Sequence, residues 1–416
     1  MIRIFKKQIA LLFIVINICT VSGCSGYREV DKLGIAAGIA IDFNEYGDKY
    51  VVTVEMIEVG ASENTKSTIS KFYTTTGNSV FDAVRLLIIK TGRRIFWSHS
   101  VVILVGEEVA QKGMVPVLDW VSRDTEPRAD MNLIITKGCT AKELLICRSE
   151  PKDMSSFHLN DIMKSQKILS KMASATVWEF VNDISSGLTQ PTAPAAQLNT
   201  NEGETQQDIY GTAIFKKDKV VGYINRDESF YLYMIKDKLK EGIIVVKDAV
   251  GTNTTISFEV FHNKTTLTPI YENEKMIMKV DVKTVVAIDE VSGTDDLVVN
   301  EEGRDKLKKQ TEEIVTKNLL DLITKMQQEY NTDILGFSST MKIKSPNIWR
   351  RLEHSKNEVF KNIIPEINVQ IIIKGSGTNS KPIKIGSNTL NGRVGNVYYN
   401  NCYICLNNIY RTSNLT

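Results

Sequence analysis

The sequence predicts an α+β multidomain protein, built of mixed α/β lobes and carried behind an N-terminal export leader. Three observations predict it. A chain of 416 residues is too long for one small core and divides into two or three domains. Apolar runs of period two alternate with runs of helical period over the first 184 residues, whereas strands precede helices beyond residue 209. A short basic head and an apolar run occupy the first 23 residues. Hydrophobic residues make up 42% and charged residues 24%, as in an ordinary globular chain.

The leader reads from its spacing. Arg3, Lys6 and Lys7 form a basic head, and Ile9 to Ile18 is apolar except at Asn17. A run of about 10–13 residues is a secretory h-region, because crossing a bilayer as a helix needs ~20. Val21-Ser22-Gly23-Cys24 follows and resembles a bacterial lipobox. Residues 1–23 are then a lipoprotein signal peptide cut between Gly23 and Cys24. Cys24 becomes an S-diacylglycerol, N-palmitoyl cysteine, and two or more acyl chains hold a protein stably at a bilayer. No later apolar run reaches spanning length. The chain's 51 Lys and Arg, less the three in the leader, stand against 49 Asp and Glu. A net charge of −1 excludes a general nucleic-acid-binding or anionic-lipid-binding surface.

Residues 24–184 form an N-terminal α/β domain. Strands are predicted at Gly34 to Asp42 and Lys49 to Val59, a polar loop at Ser62 to Thr68, and a buried β-branched strand at Val101 to Val105. Ser79 is placed to cap a helix from Val80 to Lys90, whose stripe is Val80, Val84, Leu87 and Ile88. Short helices over Glu107 to Lys112 and Val115 to Ser122 meet at Gly113. A strand from Met131 to Thr136 precedes a helix from Ala141, and helices follow at Leu159 to Met172 and Thr176 to Ile184.

Residues 185–208 are rich in Pro, Thr, Asn, Gln and Gly without apolar period, so they read as a linker. Residues 209–375 read as a C-terminal α+β region. A hairpin joins Ala213-Ile-Phe to Val220-Val-Gly-Tyr-Ile, and Asp227 is placed to cap a helix reaching Ile235. Strands follow at Glu241 to Val246, Thr255 to Phe261 and Lys275 to Val286. An amphipathic helix from Gly303 to Tyr330 spans roughly 40 Å, a helix covers Asn347 to Phe360, and Ile367 to Ile373 is a last strand. Residues 376–416 carry little pattern and read as a loosely ordered tail.

No catalytic or metal motif stands out. The four histidines, His99, His158, His262 and His354, pair with no ligand at metal spacing. His99 reads as a structural histidine, and Glu107-Glu108 as acids complementing a helix dipole. Cys402-x-x-Cys405 is half of a zinc or redox signature. Cys139 and Cys147 are close enough in sequence for a bridge that nothing else supports. The expectation is therefore no enzyme, no cofactor and no metal.

An ordered series of motifs resembles the Ger(x)C family, the lipoprotein C subunit of nutrient germinant receptors in spore-forming Firmicutes. The series begins with Arg28-Glu-Val-Asp-Lys-Leu-Gly-Ile-Ala-Ala-Gly-Ile-Ala-Ile-Asp42 and Trp97-Ser-His99. Gly106-Glu-Glu-Val-Ala-Gln-Lys-Gly113, Leu118-Asp119 and Arg123-Asp124-Thr-Glu-Pro-Arg128 follow. Val221-Gly222-Tyr-Ile-Asn225, Lys240-Glu-Gly242-Ile-Ile, Asp333-Ile-Leu-Gly336-Phe337 and Trp349 complete it. The chain departs from the family at Ser25-Gly26-Tyr27, where a Trp commonly follows the lipidated Cys. The resemblance implies three α/β lobes, with a small lobe at 209–246 packed against a larger one at 247–375. It also implies a non-enzymatic membrane subunit beside two integral-membrane subunits, A and B, on the outer face of the spore inner membrane. The rival expectations are a solute-binding lipoprotein of a transporter and an exported envelope hydrolase.

Overall fold

The computed structural model describes residues 33–59, 68–147, 154–292, 301–352 and 356–376. The leader, Gly23, Cys24, most of the expected Ser62–Thr68 loop and the expected tail beyond Ser376 lie outside them.

The first sheet grows outward from one central strand. β1 (Leu33–Phe43), β2 (Tyr50–Val59) and β3 (Thr68–Gly77) form an antiparallel meander. On its other edge β1 accepts two parallel strands, β4 (Arg94–Phe96) along Leu33–Ile35 and β5 (Val102–Val105) along Gly38–Ile41. β6 (Asn132–Thr136) and β7 (Thr192–Asn201) extend the parallel run. β8 (Glu204–Lys216) and β9 (Lys219–Asn225) close the nine-stranded sheet in antiparallel fashion.

Parallel strands need crossovers, and helices supply them. α1 (Val80–Thr91) precedes β4, α2 (Glu107–Lys112) and α3 (Val115–Arg123) join β5 to β6, and α4 (Ala141–Ile146), α5 (Ser155–Leu169) and α6 (Val177–Ser186) join β6 to β7. Ser79 caps α1 as expected, accepting from Asp82 N–H, and Gly92 ends it at φ +66°. Thr140 and Thr176 start α4 and α6 with capping boxes to Glu143 and Glu179. Ile39, Ile103 and Leu133 pack one face of the sheet against α1, α2, α3 and α6. Ala40, Leu104 and Ile134 pack the other face against α4 and α5. With both faces covered, β5 is apolar at every position and fully buried.

The second sheet has order β10-β11-β12-β13. α7 (Arg226–Ile235) leads from β9 towards β10 (Gly242–Val246), and the 18-residue strands β11 (Thr255–Glu272) and β12 (Lys275–Ser292) form a long hairpin. Asn273 and Glu274 both take positive φ at its tip, matching the right-handed twist of the strands. α8 (Glu301–Lys325), continued by a π turn over Met326–Tyr330, crosses back over one face. Its Leu307, Thr311, Val315, Leu319 and Leu322 recur at near-helical spacing and bury against Phe258, Val280 and Val282. α9 (Phe337–Lys344), α10 (Pro346–Leu352) and α11 (Lys356–Asn362) lead to β13 (Ile364–Ser376), which runs parallel to β12.

Helices and strands mix in both sheets as expected, but several segments differ. Residues 185–208 are not an irregular linker, since β7 lies within them and pairs with β8 over ten positions, five of them wholly inside the segment. Ala193 and Ala195 on one face of β7 and Ala196 on the other are buried but too small to mark a period, while its Gln and Asn residues supply the polar composition. Glu202 and Gly203 take positive φ and turn the hairpin. The segment expected as a small lobe, 209–246, is divided: β8 and β9 complete the first sheet, whereas α7 and β10 join the second. Asn225, not Asp227, caps α7, because its side chain accepts from Glu228 N–H. The single helix expected over Asn347 to Phe360 is α10 and α11, with Pro346 in the first turn of α10. Among the described residues no helix is long and apolar enough to cross a membrane.

Candidate functional site

The residues that look most like chemistry in the sequence have structural partners. Trp97 packs edge-on against Trp120, and His99 edge-on against Phe96, each at 5.6 Å between ring centroids. Ser98 Oγ donates to the Glu126 carbonyl, and Glu126 pairs with Arg94 on β4. Glu107 accepts from Gly138 N–H at 3.1 Å. Cys139 and Cys147 are free thiols, and burial pushes the Cys139 thiol up to about 11. Among the described residues no cluster of three or more His, Cys, Asp or Glu forms a metal site. Cys24, Cys402 and Cys405 lie outside the described residues.

Three buried carboxylates organise the scaffold. Asp42, at the end of β1, accepts from Ala141 N–H at 2.7 Å and Lys142 N–H at 2.9 Å, capping α4 from 99 residues away. Burial pushes its carboxyl up, and those two amides pull it back. Glu55 on β2 accepts from Ser155 N–H, Ser156 N–H and Ser156 Oγ–H at 3.2, 2.8 and 2.6 Å, and so starts α5. The backbone comes close to both carboxylate sites, and glycine makes room for it. A Cβ on Gly106 would stand 2.3 Å from Asp42 Oδ1, and one on Gly38 2.2 Å from Ser156 Oγ. Asp333 gathers the N–H groups of Leu335, Gly336, Phe337 and Ser338 at the head of α9, with Gly336 at φ +84°. Asp42 and Asp333, each an acid of one family-like motif, are thus capping residues.

One groove concentrates unspent polarity. It lies between α6 and the end of α7, has a volume of about 590 Å³, and is floored by Phe180, Leu232 and Tyr233. Tyr233 OH accepts from Ser174 N–H at 2.7 Å, and Ser170 Oγ donates to the Glu241 carbonyl at 2.8 Å, so the two walls are tied. Asp183 and Lys236 line it together with Lys238. Burial first and Lys238 second lower the Lys236 ammonium to about 8, with Asp183 and Asp333 opposing the fall. Burial raises the Asp183 carboxyl against the pull of Lys236 and Lys238. Trp178 stands on the wall 62% exposed, whereas Trp97, Trp120 and Trp349 are at most 5% exposed. Sequence reading could not find this groove, because its charges are more than 50 residues apart and meet only in space.

Comparison with known proteins accounts for the recurring motifs. Residues 26–198 match the spore germination protein N-terminal domain, and residues 210–377 match the spore germination B3/GerAC-like C-terminal domain. The chain belongs to the Ger(x)C family of spore germination proteins. It is 24% identical to spore germination protein B3 of Bacillus subtilis, over 90% of this chain and 99% of that one. It is 22% identical to spore germination protein KC of the same organism, over 91% and 98%. The crystal structure of the GerBC protein shares the fold at a TM-score of 0.53 and 21% identity, covering 81% of this chain and 97% of that chain. As a Ger(x)C protein the chain is a spore-associated germinant-receptor C subunit and not an enzyme. The boundary between the two family domains falls in the β7–β8 hairpin, so both domains contribute strands to the first sheet.

Proposed function

We propose that this Ger(x)C protein is the membrane-tethered subunit of a nutrient germinant receptor, held by lipid on Cys24 and docked to integral-membrane A and B subunits. The tether places it on the outer face of the spore inner membrane. The observation that carries the reading is the Val21-Ser22-Gly23-Cys24 junction directly ahead of a family-typical body. Eight residues lie between Cys24 and Leu33, the first residue of β1, so the two are nine Cα-to-Cα steps apart. Fully extended, they reach about 30 Å. Two or more acyl chains confine the body to a layer of that depth, and weak contacts with membrane subunits then act at high effective concentration. Exposed apolar side chains on β10 and β11 support docking, with Ile243, Val245 and Phe261 about half exposed.

Replacement of Cys24 by Ala tests the reading. The variant is expected to keep its far-UV spectrum, to leave the membrane fraction and to impair germination. A variant that still fractionates with membranes and germinates normally overturns the proposal, as does an unmodified Cys24 thiol in the native protein by mass spectrometry.

A further inference from the structure

The groove between α6 and α7 holds two opposite charges that do not meet. Asp183 comes from α6 and Lys236 from the C-cap of α7, and both line the groove while partly buried. Among the described residues neither side chain has a hydrogen-bond or ion-pair partner. The other carboxylates on the rim are occupied. Glu179 accepts from Thr176 N–H at 2.9 Å, and Asp237 accepts from Thr265 N–H at 2.7 Å and pairs with Lys264. Lys238 and Lys240 add positive charge at the mouth.

A desolvated, unpaired charge is costly, and the cost is recovered when a partner of opposite sign arrives. One small molecule bearing both an anion and a cation would satisfy both groups at once. The remaining surface suits an attached side chain, since Leu232 and Tyr233 form a buried floor and Trp178 offers an open aromatic wall. About 590 Å³ lies within the range of small-ligand pockets. We propose that this groove binds a zwitterionic α-amino acid, with its carboxylate on Lys236, its ammonium on Asp183 and its side chain against Trp178. The site lies in the folded body and does not rest on lipidation of Cys24.

The test uses full-length protein in detergent. Each of the twenty L-amino acids is titrated to about 10 mM with tryptophan fluorescence and thermal shift as readouts. At least one is expected to give a saturable change in both. Its amide, which lacks the carboxylate, and its deaminated acid, which lacks the ammonium, should each bind at least about tenfold more weakly. Asp183→Asn and Lys236→Met should each weaken the parent amino acid by about tenfold or more while the far-UV spectrum is unchanged. Should Lys236→Met misfold, Lys236→Gln provides the same measurement. The proposal is overturned if no amino acid binds, if either analogue binds as well as its parent, or if the folded variants bind normally.

Discussion

Lys236 should work against the fold at neutral pH, and its replacement by Met should stabilise the protein. The ammonium falls from the ordinary lysine value of 10.5 to about 8, chiefly through burial and then through Lys238. At ~1.4 kcal/mol for each tenfold change, that fall withholds at most ~3 kcal/mol from the folded state. Lys236 keeps some contact with water, and its removal takes from Asp183 one of its two nearby cations, so the expected gain is about 1–3 kcal/mol. The unfolded chain holds this proton up to about pH 10.5 and the folded chain only up to about 8. The penalty is therefore fully present below pH 8 and fades as pH rises towards 10.5. Asp183, Lys238 and Asp333 face the same ammonium, so the quantity to measure is the difference between variant and wild type. Urea denaturation of both proteins at pH 7 and pH 10.5 supplies it. A Met variant no more stable than wild type at pH 7, or a difference that ignores pH, would refute the reasoning.

The capping carboxylates give further predictions. Asp333→Ala strands four backbone N–H groups and should cost about 2–4 kcal/mol, whereas Asp333→Asn, which keeps an acceptor, should cost about half as much in the same urea assay. Glu55→Ala should fray the first turn of α5, seen as lost hydrogen-exchange protection at the Ser155 and Ser156 amides with the β1–β2 ladder unchanged. Protection at wild-type level there would exclude the long-range cap. Because the Cys139 thiol is raised to about 11, iodoacetamide at pH 8 should leave it largely unmodified, with labelling rising about tenfold per pH unit. Rapid labelling at pH 8, read by peptide mass spectrometry, would contradict its burial.

Much of the fold is legible in the sequence where one element supplies its own signal. The stripe Val80, Val84, Leu87 with Ser79 ahead of it specifies α1, and the apolar run Val102–Val105 specifies a strand buried on both faces. Signals supplied from elsewhere are not legible. α5 begins at Ser155, four residues before its apolar stripe, because the carboxylate that starts it stands on β2. β7 hides because alanine fills its buried positions on both faces and sets up no apolar period. The candidate site is less legible still. Its acid and its cation are both ordinary surface residue types, and only the fold brings them, partly buried, into the lining of one groove.

The position of β1 has a mechanical consequence. Tension arriving through the residues before Leu33 pulls this strand along its own axis, while β2 holds one flank and β4 and β5 hold the other. Ladder bonds run across that axis, so they bear load together in shear and do not open one by one as a zipper would. A pull from that end would therefore strain the whole sheet before releasing any single strand.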